Sequence, residues 1–144
     1  ALAELKEERP GITIVDGADL LSLEVEIIAP CAIGGVLNET TIPAIRAAMI
    51  CGAANNQLAT PGDADRLQAR GILYLPDYVA NGGGIINVAA EILRIADRGT
   101  WVEERLAAMR AMMERVLARA AAEGISPAPV ADRMVEEALL ARAG

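Results

Sequence analysis

The chain has 144 residues, a net charge of −7 at neutral pH and a hydrophobic content of 53%, much of it from alanine. This length suits one domain with a core of its own. The acidic balance, the absence of a basic cluster and the small number of aromatic residues exclude nucleic-acid binding. Charges interrupt every apolar run before it reaches the roughly 18 residues of a membrane span, which excludes a membrane protein.

Predicted strands and helices alternate through the first half of the chain. A charged helix at residues 2–9 ends at the Pro10-Gly11 pair. The β-branched or apolar runs that follow predict strands at 12–15, 25–29, 48–52 and 72–75. Helices are predicted from about Thr40 or Thr41, with a proline in the first turn, and at 63–70. This alternation is typical of an α/β protein with a parallel sheet covered on both faces.

The second half of the chain is predicted to be helical. A helix opens after the glycines at 82–84, and Thr100 with Glu103 has the spacing of a capping box at the start of a long helix. Gly124 ends that helix, and a last helix is predicted at 130–142, after two prolines. No internal repeat or linker divides the chain.

Cysteine and histidine usage bears on metal binding and on the cellular compartment. Cys31 and Cys51 are separated by twenty positions, form no C-x-x-C motif and have no histidine anywhere to complete a ligand set. We therefore expect no metal site. Each cysteine ends an apolar run, which predicts a buried, reduced thiol and favours the cytoplasm.

The passage from the last predicted strand into a helix through three consecutive glycines predicts a ligand-binding corner. Glycines let a ligand approach bare backbone, and the new helix presents unpaired N–H groups there. The Asn81 amide can both donate and accept, which suits a neutral carboxamide better than a phosphate. Parallel sheets bind ligands at the carboxyl ends of their strands, so we expect the segments after Ala29, Gly52 and Pro76 to converge.

Three segments carry a resemblance to a known family. Residues 29–38 (APCAIGGVLN), 52–58 (GAANNQL) and 76–87 (PDYVANGGGIIN) have the order and spacing of motifs in the leucine, phenylalanine and valine dehydrogenases, of the glutamate/leucine/phenylalanine/valine dehydrogenase family. Over about residues 15–134 the chain resembles the C-terminal part of their cofactor domain. The resemblance implies the second half of a Rossmann-like NAD(P)-binding domain at 1–98 and a helical extension of that domain at 99–144.

The resemblance also implies a function and site residues. The function is NAD-dependent oxidative deamination of a branched-chain or aromatic L-amino acid to its 2-oxo acid, with NADP not excluded as cofactor. The cofactor would be bound by Ala29, Pro30, Cys31 and Ala32 on the adenosine side and by Asn56 and Asn81 near the nicotinamide. The substrate side chain would contact Gly84, Ile85 and Val88. Core packing at the two apolar residues, and simple loop formation by the Asn55-Asn56 pair, are the alternative interpretations.

The sequence offers no catalytic residue of its own. Catalysis in the resembled family is run by lysines and an aspartate of an N-terminal domain, whereas Lys6 is the only lysine here and lies among glutamates. The G-x-G-x-x-G motif that binds the pyrophosphate of the cofactor is also not found. We therefore expect a fragment that is inactive alone, depends on an N-terminal catalytic domain and forms a homo-oligomer.

Two rival interpretations remain at the level of sequence. One is a truncated, non-catalytic binding or assembly module. The other is an enzyme of the same fold that acts on a different carbonyl or imine.

Overall fold

The computed structural model describes residues 2–143, and the side chains of residues 4–142. Its sheet has three parallel strands, β1 (Ile27–Ile28), β2 (Met49–Ile50) and β3 (Leu73–Tyr74), in the order β1-β2-β3. The register aligns Ile28 with Ile50, and Ile50 with Tyr74. The predicted α/β class with a parallel sheet is confirmed.

Six helices surround and extend this sheet within the described residues. They are α1 (Leu2–Glu8), α2 (Gly62–Ala69), α3 (Asp77–Ala80), α4 (Gly83–Ile92), α5 (Arg98–Glu123) and α6 (Pro127–Ala143). Single 3₁₀ turns occur at Leu20–Ser22 and Ile42–Ala44. No helix in residues 2–143 combines the length and the apolar character needed to cross a membrane.

Among residues 4–142, buried apolar side chains form two clusters. The larger cluster packs the sheet against α2 and the loops that precede β2 and α2, and it contains Ile28, Leu37, Ile42, Ile45, Ala47, Ile50, Leu67, Ile72 and Tyr74. The smaller cluster joins α5 to α6 and contains Val116, Ala120, Val130 and Ala131. Helix α5 is therefore buried mainly along its C-terminal part, since Leu106 nearer the start is 38% exposed.

Two predictions about the N-terminal half are wrong. Residues 12–15 form no strand, and Ile14 is 42% exposed, because the run pairs with no other strand in the described chain and a lone strand has no ladder to stabilise it. The helix expected from Thr40 or Thr41 is only the single turn Ile42–Ala44. The backbone becomes extended at Ile45, which carries that side chain into the core on the way to β2.

Helix boundaries in the C-terminal half also differ from prediction. The capping box at Thr100 is wrong: α5 begins earlier, and the carboxylate of Asp97 accepts a hydrogen bond from the Thr100 N–H at 3.2 Å. Hydrogen bonding from Thr100 holds the pKa of Asp97 below its usual value. Helix α6 starts at Pro127 itself, ahead of the predicted start, since proline is tolerated in a first helical turn. Gly124 ends α5 in the left-handed conformation, as predicted.

A buried carboxylate stabilises the start of α2. Asp63 is 1% exposed, and one of its oxygens accepts hydrogen bonds from the backbone N–H and the hydroxyl of Thr60, both at 2.8 Å. The other oxygen is 2.7 Å from the Arg66 guanidinium. Burial by itself would raise the pKa of Asp63, but these hydrogen bonds and the arginine charge outweigh it and lower the pKa.

The lowered pKa predicts how stability depends on pH. A carboxyl whose pKa is lowered by folding stabilises the protein above its ordinary value of 3.8, and this contribution disappears as the pH falls through the lower folded-state value. Asp63→Asn should reduce the free energy of unfolding by about 1–3 kcal/mol near neutral pH and should make the acid loss of stability shallower. Urea denaturation across the acid range measures both effects.

Asp65→Asn is the matched control, because Asp65 lies on the same turn of α2 but is exposed. It should leave both the stability and its acid dependence nearly unchanged. Equal acid slopes for the wild type and Asp63→Asn would show that this carboxylate does not carry the effect.

Candidate functional site

The carboxyl ends of the three strands meet at one edge of the sheet, as predicted from the parallel topology. We call the segments that leave them, residues 29–38, 52–58 and 76–87, the strand-end rim. The first two segments run side by side: Leu37 and Leu58 form a parallel bridge, and the Gly35 N–H donates to the Asn56 carbonyl at 2.7 Å. The motifs that are separate in sequence therefore form one continuous surface.

Gly52 allows the backbones of the first two rim segments to approach each other closely. A Cβ atom built on Gly52 would lie 2.1 Å from the Pro30 carbonyl oxygen, which is far inside contact distance. That oxygen instead accepts a hydrogen bond from the Ala54 N–H at 2.9 Å. The exits of β1 and β2 thus pack backbone against backbone, and Pro30 is buried beneath them.

The four residues expected on the adenosine side differ in burial. Pro30 is buried, whereas Ala29, Cys31 and Ala32 are exposed. The prediction of buried thiols is therefore wrong for Cys31, because β1 ends at Ile28 and the chain leaves the core at Pro30. Cys51 is half-buried.

The asparagines meet at the centre of the rim. The Asn81 side-chain amide donates to the Asn55 side-chain oxygen at 2.6 Å and approaches the Ala53 carbonyl at 3.3 Å. Asn81 therefore pairs with Asn55, for which no ligand-binding role was predicted, and not with Asn56. Asn56 itself is exposed and has the left-handed backbone conformation, with φ of 53°.

This loop is shaped by two buried polar side chains, Gln57 and Asp77, whose roles the sequence did not predict. Gln57 is fully buried, and its amide donates to the carbonyls of Gly52 and Ala54 at 2.9 and 3.0 Å. The Asp77 carboxylate, directly after Pro76, accepts from the Asn56 N–H at 2.8 Å. An aspartate in the first turn after a strand is a weak signal, because helix capping explains it equally well.

The residues expected in the substrate pocket lie on the outer side of α4. Ile85 is 74% exposed and Val88 is 50% exposed, so core packing within the described chain does not explain either of them. Gly84 faces open space, since a Cβ atom added there would have no neighbour within 4 Å from outside its own helix turn. Ile92 continues the same apolar stripe and is also 74% exposed.

An apolar groove of about 570 Å³ lies between α4, α5 and α6. Its lining includes Met109 and Met134, and also Gly82, Ile85 and Ile86 from the third segment of the strand-end rim. No amide side chain lines the groove, whereas the rim has the Asn55–Asn81 pair, so the rim has the chemistry of a specific polar site. Within residues 4–142, acidic, cysteine and histidine side chains form no group of three that could hold a metal ion.

Comparisons with known proteins identify the family. A sequence model of the "Glutamate/Leucine/Phenylalanine/Valine dehydrogenase" family matches residues 1–141. The chain belongs to this family. It is 45% identical over 136 residues to the valine dehydrogenase of Streptomyces albus and 40% identical over 130 residues to the leucine dehydrogenase of Geobacillus stearothermophilus. These matches cover 92% and 90% of the chain.

Solved structures agree with this family membership. The crystal structure of L-tryptophan dehydrogenase from Nostoc punctiforme superposes with a TM-score of 0.78 at 38% identity, over 94% of this chain and 40% of that one. A glutamate dehydrogenase from Thermus thermophilus superposes with a TM-score of 0.62 at 23% identity, over 90% of this chain and 32% of that one, and shares the fold. The chain also spans only 36% of the valine dehydrogenase and 35% of the leucine dehydrogenase.

Proposed function

We propose that this chain forms the nicotinamide-facing part of an NAD-dependent L-amino-acid dehydrogenase. The reaction is oxidative deamination of a branched-chain or aromatic amino acid to its 2-oxo acid. The observation that carries the proposal is the Asn55–Asn81 amide pair, which lies where three parallel strands end and beside an open glycine corner. Family membership, and relatives that are dehydrogenases of valine, leucine and tryptophan, support the reaction class.

The chemistry of the rim fits the nicotinamide end of the cofactor. NAD accepts a hydride and supplies the redox chemistry when it is bound. The Asn81 amide nitrogen already donates to Asn55 and Ala53, so its oxygen is the atom left to accept an N–H of the carboxamide. The exposed Asn56 amide can donate as well as accept, and neither side chain introduces a charge that would oppose hydride transfer. Residues 29–38, 52–58 and 76–87 contain no lysine or arginine, so this surface is better suited to the nicotinamide than to the pyrophosphate.

The adenosine half of the cofactor would lie along the first segment of the rim, residues 29–38. Ala29, Cys31 and Ala32 present small exposed side chains there, and Pro30 supports them from below. The proposal keeps NAD as the cofactor, with NADP as the alternative.

The exposed apolar stripe of α4 would contact the amino-acid side chain. Gly84, Ile85 and Val88 share the helix start next to the asparagines, so an apolar substrate side chain would lie beside a bound nicotinamide. The apolar character of Ile85 and Val88 suits valine, leucine or an aromatic amino acid.

Proton transfer would be carried out by a part of the enzyme outside this chain. Lys6, the single lysine, is exposed on α1, which lies before the sheet and is not part of the strand-end rim. In this proposal the chain binds and orients the nicotinamide and the substrate side chain. The catalytic lysines belong to an N-terminal domain. The enzyme would assemble as a homo-oligomer.

A segment exchange tests the proposed function. The segment of the Streptomyces albus valine dehydrogenase that matches this chain is replaced by residues 1–144, and NADH formation is measured with valine, leucine and phenylalanine. We expect activity with at least one of them. A folded chimera that binds NADH but oxidises no amino acid would favour a non-catalytic binding module.

Asn81→Ala in this chimera should lower kcat/KM by roughly ten- to a thousandfold. One or two hydrogen bonds that orient the nicotinamide are worth about 1.5–4 kcal/mol in the transition state. Steady-state kinetics measure the change, and urea denaturation checks that stability is retained. Gln68→Ala is the control, because Gln68 is an exposed amide side chain on α2, outside the strand-end rim. Full activity with a large loss of stability in Asn81→Ala would make Asn81 a structural turn residue.

Ile85→Ala should shift substrate preference toward longer or aromatic side chains. Removing methylenes from a pocket wall opens volume, and each methylene is worth about 1–3 kcal/mol in discrimination. The ratio of kcat/KM for phenylalanine to that for valine measures the shift. Ile92→Ala is the matched control, since Ile92 has the same exposure but lies two turns further along α4. An unchanged ratio in Ile85→Ala, or an equal change in both variants, would remove Ile85 from the pocket.

A further inference from the structure

A buried chain of hydrogen bonds connects the core to both asparagine segments. Tyr74 on β3 is 1% exposed, and its hydroxyl donates to one carboxylate oxygen of Asp77 at 2.7 Å. The other carboxylate oxygen accepts from the Asn56 N–H at 2.8 Å. The backbone carbonyl of Asp77 accepts from the Asn81 N–H, also at 2.8 Å. One residue therefore bonds to the loop after β2 and to the corner after β3.

Asn56, which donates this hydrogen bond, has an uncommon backbone conformation. A residue other than glycine with φ of 53° is held in a sparsely populated backbone region and persists only where its surroundings impose it. Two hydrogen bonds hold Asn56 in place: its N–H donates to Asp77, and its carbonyl accepts from the Gly35 N–H at 2.7 Å. Asn55, the preceding residue, has its side-chain oxygen 2.6 Å from the Asn81 amide.

Within the described chain, the carboxylate of Asp77 is buried without a cationic partner. Asp77 is 7% exposed, and within residues 4–142 it forms no ion pair with a lysine or arginine. Burying a carboxylate without a cation is costly, and a neutral side chain would start the short helix α3 at lower cost. A carboxylate presents two separate acceptor oxygens, and Asp77 uses one for the Tyr74 hydroxyl and the other for the Asn56 N–H.

We propose that Asp77 is a positioning residue for hydride transfer: its buried carboxylate links Tyr74 to Asn56 and thereby fixes the Asn55–Asn56–Asn81 surface that faces the nicotinamide. The proposal rests on the proposed function for the direction in which this surface faces. The effect of Asp77 on the conformation of the loop after β2 can be measured independently of that function.

Amide exchange and NMR spectra of the 144-residue chain test the conformational claim without any cofactor. In Asp77→Ala the Asn56 amide should exchange at least tenfold faster, and the side-chain amide signals of Asn55 and Asn81 should shift. The sheet amide of Cys51, which donates to Ile28, should keep its protection and so report that the fold is intact.

Asp77→Asn serves if the alanine variant does not fold. Its single acceptor oxygen can bond to the Asn56 N–H while its amide group faces the Tyr74 hydroxyl, so its exchange rate should lie between those of the wild type and Asp77→Ala. Asp63→Asn is the matched control, because Asp63 is an equally buried aspartate at the start of α2 that does not contact the asparagines. It should change stability without moving the signals of residues 55, 56 or 81.

The kinetic test uses the segment-exchange chimera. Asp77→Ala should lower kcat/KM for the amino acid at least tenfold, mainly through kcat, Asp77→Asn should restore part of it, and Asp63→Asn should stay within about threefold of the parent. Faster Asn56 exchange in Asp77→Ala together with an unchanged kcat would overturn the positioning role. Unchanged Asn56 exchange in Asp77→Ala would also overturn it, as would effects of Asp63→Asn on exchange and kcat as large as those of Asp77→Ala. An inactive parent chimera would count against the proposed function, and the exchange data would then decide whether Asp77 sets the loop.

Discussion

The in-register pairing of Ile28, Ile50 and Tyr74 is the constraint on which the rest of the structure depends. Each strand contributes only two paired residues, so the sheet is held mainly by the buried side chains around it. Because the strands are parallel and end at the same level, the three loops that follow must share one edge. Their contact is made possible by the bare backbone of Gly52 and is then fixed by buried polar side chains.

Much of this arrangement could be predicted from the sequence. The alternation of strand and helix patterns required a parallel sheet, and a parallel sheet required the segments after Ala29, Gly52 and Pro76 to converge. The glycine that ends α5 was also identified correctly, because the left-handed conformation of Gly124 follows from local backbone energetics. These features depend on short-range chemistry or on topology, and both can be read from residue order.

The errors concern features that long-range contacts decide. Residues 12–15 have strong β propensity, but propensity alone does not supply a partner strand. The sequence could place an asparagine pair in a loop, yet the partner of Asn81 is Asn55, next to a turn at Asn56 whose N–H donates to Asp77 in the segment after β3. The exposure of Cys31 likewise follows from where β1 ends, which the apolar run at 25–29 does not define to within a residue.

Chemical-shift mapping with the two halves of the cofactor tests the central claim, that the asparagines of the second and third rim segments, residues 52–58 and 76–87, face the nicotinamide. Nicotinamide mononucleotide and AMP are titrated separately, at millimolar concentration, into the isotope-labelled chain. The account predicts that the nicotinamide half shifts the signals of Asn55, Asn56 and Asn81, and that AMP shifts those of residues 29–32. Shifts confined to the apolar groove between α4, α5 and α6, or identical patterns for both ligands, would contradict it.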